Sequence, residues 1–175
     1  MLIHSASQLL TLAGGPQRGH ALGTLGIIEN GAVIVRDEKI IAVGTTEELR
    51  NDHPDEPTLD ADKCVLMPGF VDMHGHIGGG QAPNAEYVFK LWMAHGITTI
   101  REPGSSNGVE WVLDQKNKSA QNLITAPRIK ALVTFGTGSK EQIRTPEQAR
   151  AWVNENKMKG ADGIKFFGAA PEIMD

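Results

Sequence analysis

The chain has 175 residues, of which 40% are hydrophobic and 22% charged, and its net charge is −4. This length and balance suit one ordinary domain, or two small ones, and exclude a disordered chain. A pI near 5.9 with scattered Lys and Arg, 5% aromatic residues and a single cysteine, Cys64, leave no footprint for nucleic acid and no internal disulfide.

Residues 1–12 alternate apolar positions with His4, Ser5, Ser7 and Gln8. That predicts a strand over 2–10, not a signal peptide. No apolar run reaches the roughly 18 residues of a membrane span, so a cytoplasmic location without a membrane partner is expected. A Gly/Pro-rich stretch follows, then two β-branched runs, 31–36 and 39–44, around Asp37-Glu38. These read as a hairpin. Residues 46–51 suggest a short helix, and the prolines of 53–57 a loop.

From Cys64 the pattern changes. Pro68-Gly69 leads into a predicted strand over 70–77 that ends in Gly78-Gly79-Gly80. Asn84 is placed to cap a helix with Val88, Leu91 and Trp92 on its apolar face, His95 in its last turn and Gly96 after it. A strand at 97–101, a helix around Val109, Val112 and Leu113, and a strand over 128–135 come next. Thr145 and Gln148, with Pro146 between them, predict a capping box that opens a helix burying Ala149, Trp152 and Val153. A last strand covers 163–167. Alternating strands and helices imply a parallel sheet, with a boundary near residue 65.

Asp72-Met73-His74-Gly75-His76 is the sharpest chemical feature. On a strand, positions i, i+2 and i+4 share one face, so two imidazoles and a carboxylate would point together at the strand's C-terminal end. Parallel α/β folds place their sites at that end, and neutral imidazole suits zinc and other late first-row metals. A bare His-x-His pair more often marks a surface strand; the Pro-Gly entry, the aligned Asp72 and the strand-end position favour a metal site. Lys165 lies in a short apolar strand between Ile164 and Phe166. Spacing alone favours a lysine whose head snorkels out at the strand end; a neutral amine there could instead form a carbamate that bridges two metals. His95 reads as a cation at a helix C-terminus, and His4, His20 and His53 as structural or exposed. Gly136-Thr137-Gly138 reads as a plain loop or a pocket wall. The glycines at 78–80 lack a phosphate-loop ending. Cys64 carries no nucleophile signal, and Trp92, Trp111 and Trp152 read as packing residues.

Residues 65–76, Val-Leu-Met-Pro-Gly-Phe-Val-Asp-Met-His-Gly-His, resemble the signature opening of the amidohydrolase superfamily, metal-dependent hydrolases on a β/α barrel with a small accompanying β-sandwich. Residues 26–44 resemble the sandwich of imidazolonepropionase-type members, 96–101 the second barrel strand, and 160–165 the fourth strand of prolidase-like members, where the lysine is carboxylated. The resemblance implies an α/β fold: residues 1–65 forming part of a composite β-sandwich, and 66–175 the first four units, or N-terminal half, of a (β/α)8 TIM-type barrel. It implies that His74 and His76 bind one divalent ion, zinc or a related metal, that Lys165 bridges to a second, and that Asp72 orients the site.

The implied activity is hydrolysis of a carbon–nitrogen bond in a cyclic amide or dipeptide-like small molecule by metal-activated water. The family also draws ligands from its fifth, sixth and eighth strands, and a full barrel needs about 250 residues. The alternative expectation is therefore a half-barrel that is inert alone and works only by self-association or with a missing C-terminal half. Glu102 stands where relatives commonly carry aspartate, and the resemblance gives it no role.

Overall fold

A computed structural model of the chain describes residues 1–15, 17–78 and 85–174. The chain divides into two compact units, Met1–Pro68 and Gly69–Asp175.

The first unit is a five-stranded mixed sheet. β1 (Leu2–Leu10) pairs antiparallel with β2 (Ile27–Arg36), and β2 antiparallel with β3 (Lys39–Thr45). β4 (Thr58–Asp60) and β5 (Val65–Leu66) both run parallel to β1. The expected hairpin is present: Asp37 and Glu38 adopt φ of 48° and 62°, the left-handed pair of a type I′ turn, whose twist matches the strands it joins. The helix expected after it is α1 (Thr46–Asp52), opened by a capping box between Thr45 and Glu48. It lays Leu49 against Leu2, Ala32 and Ile34 to form the core of the unit.

The second unit is a four-stranded parallel sheet in the order β6 (Phe70–Asp72), β7 (Ile97–Glu102), β8 (Arg128–Thr134), β9 (Gly163–Lys165). The connecting helices are α2 (Ala85–Ala94), α3 (Val109–Ala120) and α4 (Pro146–Lys159), with a short α5 (Pro171–Met174) at the end. Its core joins Ile77, Phe89, Ile100, Val112, Leu113, Ile129 and Ala131. The predicted capping box on α4 is present, with Pro146 in its first turn, Gly160 left-handed at its end, and Ala149 and Trp152 buried. On α2 the buried stripe differs from expectation. It runs through Phe89 with Ala85 and Trp92 half-buried beside it, while Leu91 is exposed; positions i, i+4 and i+7 share one face of a helix. The expected cap Asn84 and the glycines Gly79 and Gly80 lie outside the described residues.

The strand predicted over 70–77 ends at Asp72. The Asp72 carboxylate accepts the His74 backbone N–H at 2.9 Å, a local turn that competes with strand pairing. Pro68-Gly69 has a packing reason: a Cβ on Gly69 would fall 2.0 Å from the Thr98 hydroxyl on β7, so only glycine lets these strands close up.

Candidate metal centre

His74 and His76 occupy an irregular segment beyond β6, and the neighbouring strand end holds that segment in place. Gly75 N–H donates to the Arg101 carbonyl at 3.1 Å. The Ser105 hydroxyl donates to the Ile77 carbonyl at 3.0 Å, and the Ser106 hydroxyl to the Gly78 carbonyl at 3.2 Å. Gly75 is buried, and a Cβ there would meet the Trp92 ring at 3.1 Å and the Asp72 carboxylate at 3.2 Å. The segment therefore has little room to rearrange, although it is not a strand.

The two imidazoles meet edge to face, with ring centroids 5.2 Å apart and planes at 76°. Two imidazoles on one tetrahedral zinc, at Zn–N distances of about 2.0–2.1 Å, have their centroids about 5 Å apart. The pair thus has the spacing of two ligands to one ion. Strand alternation does not produce it, because His74 already lies in a turn.

Glu102, at the end of β7, is the residue that sequence reasoning left without a role. It is 0% exposed. One carboxylate oxygen lies 2.9 Å from His76 Nδ1, and the other accepts the Ile77 backbone N–H. A carboxylate on one ring nitrogen fixes the imidazole plane and leaves Nε2 to face a ligand. Asp72 engages the backbone of His74; the carboxylate that touches an imidazole ring here is that of Glu102. An acidic residue closing a parallel strand beside the His-x-His segment was the available signal.

Lys165 ends β9, in register with Thr134 on β8, so two strands separate it from β6. Adjacent strands lie about 4.8 Å apart, which places Lys165 well along the sheet from the histidines. Its ammonium sits over the Phe167 ring, 5.3 Å from the centroid, at cation–π distance. Among the described residues no group of three or more His, Cys, Asp and Glu side chains is arranged to hold a metal ion.

Of the other histidines, His95 and His4 have structural partners. His95 Nδ1 lies 2.7 Å from the Leu91 carbonyl at the end of α2. His4 is buried, with Nε2 2.8 Å from the Arg50 guanidinium and Nδ1 2.7 Å from the Ser5 hydroxyl. Trp152 packs edge-on against Phe135 at 5.3 Å and donates to the Thr137 carbonyl. Gly136 and Thr137 line an open cleft of about 630 Å³ beyond the ends of β8 and β9. No helix among the described residues is long and apolar enough to cross a membrane.

Comparison with known proteins gives this arrangement a family. The model of the bacterial imidazolonepropionase-like composite domain matches residues 31–55. An imidazolonepropionase of Chloroflexus aggregans is 33% identical over 153 residues, covering 81% of this chain and 34% of that protein. One from Solibacter usitatus is 34% identical over 185 residues, covering 96% of this chain and 43% of its own length. Among solved structures, a Xaa-Pro dipeptidase with bound methionine superposes with a TM-score of 0.62 at 22% identity, over 94% of this chain and 46% of the dipeptidase. The chain spans less than half the length of each of these proteins. With its parallel α/β sheet and the His-x-His segment after the first strand of that sheet, the chain belongs to the amidohydrolase superfamily.

Proposed function

We propose that the chain contributes the first part of the metal site of a hydrolase acting on a carbon–nitrogen bond, with a cyclic amide of the imidazolonepropionate type as substrate. The observation that carries this reading is the His74–His76 pair at 5.2 Å with His76 tied to the fully buried Glu102. Identity of 33–34% to two imidazolonepropionases favours the cyclic amide over a dipeptide.

In this reading His74 and His76 hold one divalent ion, zinc by the chemistry of the donors. Such an ion, when bound, lowers the pKa of water and polarises a substrate carbonyl. Glu102 fixes the His76 ring through Nδ1, which would leave Nε2 free to hold such an ion, and Asp72 holds the turn that carries His74. Lys165 is the proposed ligand to a second ion once its neutral amine has taken up carbon dioxide, releasing a proton and forming a carbamate. That step requires the ammonium to leave the Phe167 ring. The sheet is read as half of a (β/α)8 barrel, and Met1–Pro68 as part of a composite β-sandwich.

The test is hydrolysis of imidazolonepropionate by the zinc-loaded chain, followed by loss of substrate absorbance. The expected result is turnover that chelation removes and that His74→Ala lowers by at least about a hundredfold. Turnover that survives both treatments would contradict the reading.

A second reading is favoured by the absence of a three-donor cluster among the described residues. The chain would then be inert alone and act only when a second copy, or a separate C-terminal half, supplies the remaining ligands. Turnover confined to an associated species would select this reading.

A further inference from the structure

Past Asp72 the chain leaves the β6–β7 ladder, and side chains from the end of β7 and the loop after it become its partners. Ile77 is gripped on both polar groups of its main chain. Its N–H donates to the Glu102 carboxylate, and its carbonyl accepts from the Ser105 hydroxyl at 3.0 Å. Its side chain is buried in the core of the second unit. One residue on, the Gly78 carbonyl accepts from the Ser106 hydroxyl at 3.2 Å. Gly78 has a φ of 69°, and a Cβ there would fall 2.5 Å from the Asn107 side-chain nitrogen, so the two segments lie against each other.

The gripping loop is itself anchored. A Cβ on Gly104 would collide with the Thr134 hydroxyl on β8. Ser105 has partners on both sides. While its hydroxyl donates to Ile77, it accepts the Asn107 N–H at 3.1 Å, and the Ser105 carbonyl accepts the Gly108 N–H at 3.2 Å. The last two bonds form the turn that leads into α3. A hydroxyl that donates and accepts at once has its rotor fixed by its neighbours. Ser105 therefore ties the start of α3 to the residue next to His76.

We infer that Ser105 is a positioning residue for the histidine pair. By holding the Ile77 peptide it fixes the backbone from which His76 projects, and with it the 5.2 Å spacing to His74. It acts through the main chain, whereas Glu102 acts on the His76 ring. The consequence for a metal rests on the proposed function; the effect on ring spacing does not.

The test uses the full chain and four variants. In the metal-free protein, NMR cross-relaxation between the His74 and His76 ring protons reports their spacing. That contact is expected in wild type and in Ser105→Thr, which keeps the hydroxyl, and is lost in Ser105→Ala. Ser105→Cys, similar in size but a weaker donor, should lose part of it and serves where the alanine variant does not fold. Ser139→Ala removes a hydroxyl bond to the Glu141 carbonyl on another loop and should leave the contact unchanged. Zinc affinity, measured by competition with a chelator, should fall about tenfold in Ser105→Ala, the effect of one hydrogen bond. A ring contact at wild-type strength in Ser105→Ala or Ser105→Cys, or its loss in Ser105→Thr, would overturn the inference. Faster amide exchange over residues 107–112 with the ring contact intact would also overturn it, because Ser105 would then serve only the start of α3. A ring contact that follows the hydroxyl in a chain that binds no zinc would leave the inference standing and count against the proposed function alone.

Discussion

At the scale of single residues, a carboxylate from one strand end decides how a histidine from the next is presented. Glu102 is fully buried, and its two acceptors reach His76 and Ile77. Leaving a buried acceptor's partners unsatisfied costs about 1–3 kcal/mol, and removing a carboxylate behind a metal-ligating histidine typically lowers metal affinity about 10–100-fold. Glu102→Ala is therefore expected to weaken zinc binding by that factor, and Glu102→Gln by less, since an amide oxygen can still accept from the ring. Nitrogen NMR of His76 gives a readout that general loosening would not mimic: the variant should populate both imidazole tautomers where the wild type holds one. Unchanged zinc affinity with an unchanged tautomer would show that Glu102 only packs the loop. The pair His74 and His76 was legible in the sequence as a motif, whereas Glu102 was not. Its partnership spans 26 positions of chain and exists only once β6 and β7 lie side by side.

At the scale of elements, local chemistry set boundaries that periodicity alone misplaced. The alternation from Phe70 to Ile77 reads as one strand, yet Asp72 uses its side chain on the His74 amide and stops it. The same aspartate that aligns with the histidines in a strand reading is the residue that ends the strand. Where the signal is a cap, as at Thr145 and Gln148, sequence and structure agree to the residue, because both capping bonds are made within four positions. A long-range tie governs the first unit. Glu56 accepts from the Met1 ammonium at 2.8 Å and pairs with Arg36 at the end of β2. Hydrogen bonds from the terminal ammonium and then from Arg36 hold its carboxyl below the usual carboxylate range. A carboxyl lowered in the folded state stabilises it fully above the unfolded pKa, about 4.3. That contribution fades as pH falls through the lower folded value. Urea unfolding between pH 7 and pH 3 should therefore show an acid-side loss of stability that is shallower in Glu56→Gln, which is also less stable than wild type near neutral pH. An acid limb of equal slope in the two proteins would count against this tie.

At the scale of the whole molecule, the parallel sheet of the second unit ends in two strands, β6 and β9, each paired on one side among the described strands. Phe70 and Val71 on β6, and Phe166 and Phe167 just beyond β9, are exposed. Open edges with exposed apolar side chains favour pairing with another chain. Light scattering across a concentration series is expected to show self-association, and charged substitutions at Val71 and Phe166 to reduce it. A strictly monomeric chain at high concentration would contradict that expectation. The alternation of strand and helix was readable from turn residues and apolar periodicity. What the chain shares with relatives more than twice its length was readable in its motifs, which fall within the less than half of those proteins that the sequence matches.

His74 and His76 are proposed to form one metal-binding unit. Zinc content per chain, measured by elemental mass spectrometry after equilibrium dialysis against buffered zinc, tests it directly. About one zinc per wild-type chain is expected, lost in both His74→Ala and His76→Ala. A wild-type chain that retains none, or single variants that retain as much as wild type, would contradict the account.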